Sequence, residues 1–238
     1  MGGLGPRINR AMADVPYQAL TFDCYGTLVD WRAGMLSALA AQPRLRGHET
    51  RFAELLAARD AAERELEGGS YLPYREVLAL SLRAASRSVL ELDLPDVEAH
   101  RFADAQAHWP AFPDSVDALR RLGARFRLAV LSNSDRAPLE CTADTVLAGT
   151  VTPLVSAEDV RSYKPASAHF EEALRRLALA PEQVLHVSAY PHFDLEPAHA
   201  LGLPVAFVHR DPAVARPTEL PLVAATQDLA ALADVFEG

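Results

Sequence analysis

Cysteine is scarce in this chain: Cys24 and Cys141 are the two among 238 residues. They have no C-x-x-C spacing and cannot by themselves make a metal-ligand set, and a reducing cytoplasm is the expected compartment. Long apolar runs are missing too. With no apolar stretch at the N-terminus either, neither export nor membrane insertion is expected. Bases are outnumbered, 23 Lys and Arg against 32 Asp and Glu, for a formal charge of −9. That balance argues against a nucleic-acid partner or an anionic membrane surface, while a few local bases still suffice for a small anion. Internal repeats and low-complexity blocks are absent. Residues 1–15, with Gly2, Gly3, Gly5 and Pro6, read as a flexible leader.

What remains is an ordinary globular composition, 50% hydrophobic and 23% charged. Ala19 to Phe22, Phe126 to Leu131, Val184 to Val187 and Val205 to Val208 are short, apolar and followed by turn or polar residues, as buried parallel strands are. Helical patterns at Asp114 to Leu122, Ser167 to Leu177 and Glu196 to Leu201 lie between them. The alternation predicts an α/β fold with a doubly wound, Rossmann-like parallel sheet. Residues 32–109 break it with amphipathic runs at Thr50 to Leu66, Val77 to Leu90 and Asp96 to His108. A crossover needs only about a dozen residues, so this stretch is expected to be a helical cap inserted after the first strand, with 16–31 and 110–238 forming the core.

Four short motifs sit at strand ends or loops: Asp23-Cys24-Tyr25-Gly26-Thr27, Ser132-Asn133-Ser134-Asp135, Ser162-Tyr163-Lys164-Pro165, and Val187 through Asp194. Carboxylates and hydroxyls at strand C-termini stand where open α/β sheets bind ligands. Taken singly, each is more often a turn or helix-capping residue than a catalyst. Asp135 reads as a helix N-cap before Ala137-Pro138. Lys164 has no such ordinary reading.

In this order and spacing the motifs resemble those of the haloacid dehalogenase superfamily, over roughly residues 17–236. The phrases LTFDCYGTLVDW, AEDVRSYKP and LHVSAYPHFDLEPAHALGLP are similar to its type II (L-2-haloacid) dehalogenases. The resemblance implies a hydrolase without metal or other cofactor that acts on a small carboxylate substrate. Asp23 would be the nucleophile, displacing halide from carbon 2 to give an aspartyl ester. Lys164 would be its charge partner, Thr27 and Ser132 would donate hydrogen bonds, and Asp194 would orient or deprotonate the hydrolytic water. Asn133 would contact substrate and halide, and Ser188 would support the fourth motif. A homodimer is left open.

Where the superfamily's phosphatases carry a second aspartate, this chain has Tyr25, whose phenol, with an ordinary pKa of roughly 10, is a poor general acid and better suited to narrowing a pocket. The family's halide-binding arginine has one candidate, Arg59, although the commoner fate of such a residue is a solvated helix face. Tyr74, with Tyr71, is expected in the aromatic wall of the cap. A family tyrosine falls on Phe170, and its fourth-motif asparagine is replaced by Ala189-Tyr190-Pro191-His192. His192 reads as a surface group or a proton carrier to Asp194. Two other readings stay open: a phosphatase using Mg2+, and a catalytically weak member that binds a ligand.

Overall fold

A computed structural model describes residues 17–237, so the leader read at 1–15 lies outside the described residues. Strands β1 (Ala19–Asp23), β2 (Arg127–Ser132), β3 (Leu154–Ser156), β4 (Val184–Ser188), β5 (Val205–Val208) and β6 (Leu222–Thr226) pair in parallel, in the order β3-β2-β1-β4-β5-β6. Successive side chains on a strand face opposite ways. Leu20, Phe22, Val130 and Val187 therefore meet α5 (Ser115–Gly123) and α10 (Leu229–Glu237) on one face. Ala19, Ala129, Leu131 and Val184 meet α8 (Ala168–Leu177) and the residues around α9 (Glu196–Ala200) on the other. The sheet is doubly wound, as the alternation implied.

Two strands escaped the sequence reading. β3 has three residues, and β6 follows a proline-interrupted stretch. Both lie at sheet edges, where a long apolar run is not needed for burial. The second strand also begins at Arg127 and not at Phe126.

Between β1 and β2 the chain forms α1 (Trp31–Ala40), α2 (Phe52–Glu67), α3 (Tyr74–Leu90) and α4 (Asp96–Asp104). α3 packs against both α2 and α4. The third predicted helix is shorter than read: α4 stops at Asp104 and a 3-10 turn covers Ala105–His108. Leu55, Leu78, Leu82 and Phe102 from these helices join the same buried cluster as Leu28 and Leu119 of the sheet layer. No described helix is long and apolar enough to cross a membrane.

Past β2, α6 (Arg136–Cys141) and α7 (Ala157–Val160) flank β3. Asp135 corrects its sequence reading. It stands at the N-cap position of α6, but its side chain makes no bond to that helix. The carboxylate instead accepts the backbone N–H groups of Tyr74 at 2.9 Å and Arg75 at 2.8 Å, at the start of α3. The first N–H groups of α3 have no partner within that helix and no side chain of its own caps them, and the carboxylate takes two of them.

Candidate active site

Asp23 ends β1 and Ser188 ends β4, the two central neighbours of the sheet. β1 connects to strands on one side of it and β4 to strands on the other, so a crevice opens at their C-terminal ends. Gly26 makes the turn after Asp23 with φ +99°, and a Cβ there would stand 2.1 Å from the Tyr190 hydroxyl. Glycine is required for both reasons.

Lys164 is the hub. Its Nζ donates to Asp23 Oδ1 at 2.8 Å, to Asp194 Oδ1 at 2.7 Å and to the Leu131 carbonyl at 3.3 Å. Those three bonds use every proton of the ammonium. The other carboxylate oxygens are served in matching ways. Thr27 Oγ1 donates to Asp23 Oδ2 at 2.8 Å and accepts the Ala189 N–H at 3.0 Å. Ser188 Oγ donates to Asp194 Oδ2 at 3.1 Å and accepts the Tyr190 N–H at 2.9 Å. Two successive backbone amides thus orient two hydroxyls, one for each carboxylate.

Burial of the ammonium works against its charge, but Asp194 and Asp23 outweigh it and hold Lys164 protonated. Burial also opposes ionisation of Asp194, and Lys164 with His186 brings that carboxyl down to about 2. Asp23 goes the other way: burial, helped by the charge of Asp194, raises it against the pull of Lys164. Asp23 is the more basic of the two.

Asn133 pins the backbone that carries Lys164, accepting its N–H at 2.7 Å and donating Nδ2–H to its carbonyl at 3.2 Å. Ser132 lies buried at the end of β2, where its carbonyl meets Nε2 of His169 at 3.2 Å. Burial lowers the His169 pKa to about 3, which keeps that ring neutral.

A cavity of ≈ 250 Å³ opens above the carboxylates. It falls just below the usual size of ligand pockets, about 300 to 1,000 Å³, and suits a molecule of few atoms. Asp23, Asp194, Lys164, Asn133, Tyr25, Tyr74 and Arg59 all line it; Ser132, Thr27 and Ser188 stand behind the lining. The Tyr25 hydroxyl lies 3.0 Å from Thr142 Oγ1, and its ring meets Trp109 edge-on. Arg59 corrects the commoner reading of a solvated charge. It is 1% exposed and ion-paired with Asp60 and Glu63. His192 is exposed and bonded to Glu196, the surface alternative of its two readings.

Two participants were missed. His186 on β4 reaches Asp194 Oδ1 through Nε2 at 3.2 Å and Thr21 Oγ1 through Nδ1 at 2.9 Å. An ionised carboxylate only accepts, so Nε2 carries the proton and Nδ1 accepts from Thr21. Thr21 and His186 are register partners across β1 and β4. A polar pair in the middle of two apolar strands was the signal available. Tyr190 lines the cavity with its hydroxyl accepting the Trp31 Nε1–H at 2.8 Å. Phe170, at the family tyrosine position, packs edge-on against His186.

The profile of haloacid dehalogenase-like hydrolases matches residues 17–202. An (S)-2-haloacid dehalogenase of Pseudomonas fluorescens is 28% identical over 197 residues, covering 81% of this chain and 85% of its own. Another, from Pseudomonas sp. (strain CBS-3), is 26% identical over 235 residues, 92% of this chain and 95% of its own. The solved structure of L-2-haloacid dehalogenase from Xanthobacter autotrophicus with chloropropionic acid covalently bound shares the fold, with a TM-score of 0.78 and 22% identity over 93% of this chain and 98% of that one. On the family profile, this chain belongs to the haloacid dehalogenase-like hydrolases.

Proposed function

We propose that this enzyme removes halide from small 2-haloalkanoic acids through an ester on Asp23, without a metal. The observation that carries the reading is the Lys164 ammonium set between Asp23 and Asp194. It supplies, from the chain itself, the positive charge that two buried carboxylates require.

In the first step an Asp23 carboxylate oxygen attacks carbon 2 from the side opposite the halogen. The new C–O bond forms as the carbon–halogen bond breaks, and halide leaves with the electron pair. In the second, water attacks the Asp23 carbonyl carbon and the bond from that carbon to the ester oxygen breaks. The 2-hydroxy acid departs with inverted configuration, its hydroxyl taking its oxygen from Asp23 and a proton from the water. The water's other proton goes to solvent as Asp23 regains its carboxylate. Asp194 orients that water. A carboxyl held near 2 is a weak base, so its part is chiefly positional. Residues 32–109 act as the cap that closes over the cavity and excludes bulk water during displacement. A cytoplasmic setting goes with this reading.

The magnesium phosphatase reading has less support. Octahedral Mg2+ wants several hard oxygen ligands. The Oδ1 atoms of both carboxylates converge on Lys164, whose ammonium stands where a cation shared by the two would sit. Burial raises the Tyr25 phenol still further from the range of a useful acid.

The test is chloride release from L-2-chloropropionate in excess EDTA. Release is expected in the wild type and absent in Asp23→Asn. Turnover that needs added magnesium, or survives Asp23→Asn, contradicts the reading.

A further inference from the structure

One wall of the cavity is unusually acidic for a site that takes an anion. Arg59, Glu63 and Glu67 stand four residues apart on α2, which puts them on one helix face, and all three line the cavity together with Asp60. Arg59 is buried, yet its charge is already matched. Its Nη1 donates to Asp60 Oδ1 at 2.8 Å and its Nη2 pairs with Glu63. Glu63 is fixed in turn by the Tyr74 hydroxyl, which donates to it at 2.5 Å. Nε of Arg59 has no hydrogen-bond partner.

Lys164 is similarly shared between Asp23 and Asp194. The remaining lining base, Arg64, is exposed. A first carboxylate entering the cavity meets the Arg59 guanidinium, whose Nε proton is the one not committed to Asp60 or Glu63. A second one meets Asp60 and Glu63 in a partly desolvated space, where like charges repel several times more strongly than in water.

We propose that Glu63, assisted by Asp60, is the specificity determinant of this pocket: by occupying Arg59 it restricts the site to substrates with a single anionic group. This rests on the reading that the substrate is a small carboxylate. Glu67 lines the same wall without adding a third charge to it. Burial, with Glu63 nearby, holds its carboxyl up at about 8, so near neutral pH it offers a hydrogen bond in place of a third charge.

Propionate and succinate, which carry no halogen, test this without any turnover. Trp31 and Trp109 are the chain's two tryptophans and both line the cavity, so intrinsic fluorescence of the full chain reports binding. The wild type is expected to bind propionate more tightly than succinate. Glu63→Gln, whose amide oxygen still accepts from Tyr74, should tighten succinate by about tenfold and narrow the preference. Asp60→Asn should do the same to a smaller extent, because Asp60 is the more exposed of the two. Glu65→Gln, on the exposed side of α2, is the control and should change neither acid. If both acids bind and the preference is unchanged in both cavity variants, the proposal is overturned while the carboxylate reading stands. If neither acid binds any of the proteins, that reading falls and the proposal with it.

Discussion

The Asp135 carboxylate accepts the backbone N–H of Tyr74 at 2.9 Å, a bond from the sheet layer to the first turn of a cap helix. Asp135 lies two residues beyond Asn133, which holds Lys164, and Tyr74 lines the cavity. One loop thus fixes both the central lysine and part of the cavity wall. Asp135→Ala should cost about 1–2 kcal/mol, as loss of an N-terminal helix cap does, and should raise KM more than it lowers kcat. Urea unfolding and steady-state kinetics check both; unchanged stability would show that the capping bond contributes nothing.

Lys164→Met leaves two buried carboxylates facing one another. Turnover should fall at least about a hundredfold, the usual scale for losing a key charge-stabilising donor. The share of the pH dependence of stability that Asp194 carries should also change sign. In the wild type Asp194 sits at about 2, below its ordinary value of 3.8; its contribution is complete above 3.8 and lost as pH falls through about 2. Without the lysine, like charge and burial raise the pair, so that share should be greatest in acid and decline as pH rises. Thermal melts across pH decide between the two slopes.

Glu67 makes a prediction of its own. Its folded-state value of about 8 lies above the ordinary 4.5, with burial the main cause. Between those values the folded chain keeps a proton that the unfolded chain has released. Its contribution is therefore intact below 4.5 and diminishes as pH rises through about 8. Glu67→Gln should remove that decline, gaining on the order of 2 kcal/mol at alkaline pH relative to the wild type. Parallel wild-type and variant profiles would argue against a proton held at Glu67.

His186 acts through Asp194 as a positioning residue. His186→Phe removes the 3.2 Å bond and should slow ester hydrolysis by about tenfold, the scale of one hydrogen bond to a charged group. Ester formation should be much less affected. Rapid-quench kinetics should then show a burst of halide followed by a slower steady state. An equal loss in both phases would mean a general packing defect.

Much of this was legible in the sequence because it lies in short-range pattern. Asp23, Lys164 and Asp194 stand at the ends of apolar strands or in loops after them, and the structure joins them through one ammonium. The edge strands β3 and β6 were not legible, since neither carries a long apolar run. Arg59 had the commoner reading of a solvated helix charge, yet it continues the buried stripe of Phe52, Leu55 and Leu56 at helical spacing, with half-buried Glu63 one turn further on. That continuation was the available clue. The role of Asp135 depends on a helix sixty residues earlier in the chain, which no local pattern encodes.

The most direct test of the central claim is a single turnover in heavy-oxygen water, with enzyme in excess over L-2-chloropropionate. If Asp23 forms the ester, the label should enter the peptide containing Asp23 and the lactate released should carry none. Label in the lactate hydroxyl with Asp23 unlabelled would mean direct attack by water on carbon 2, and would contradict the covalent mechanism.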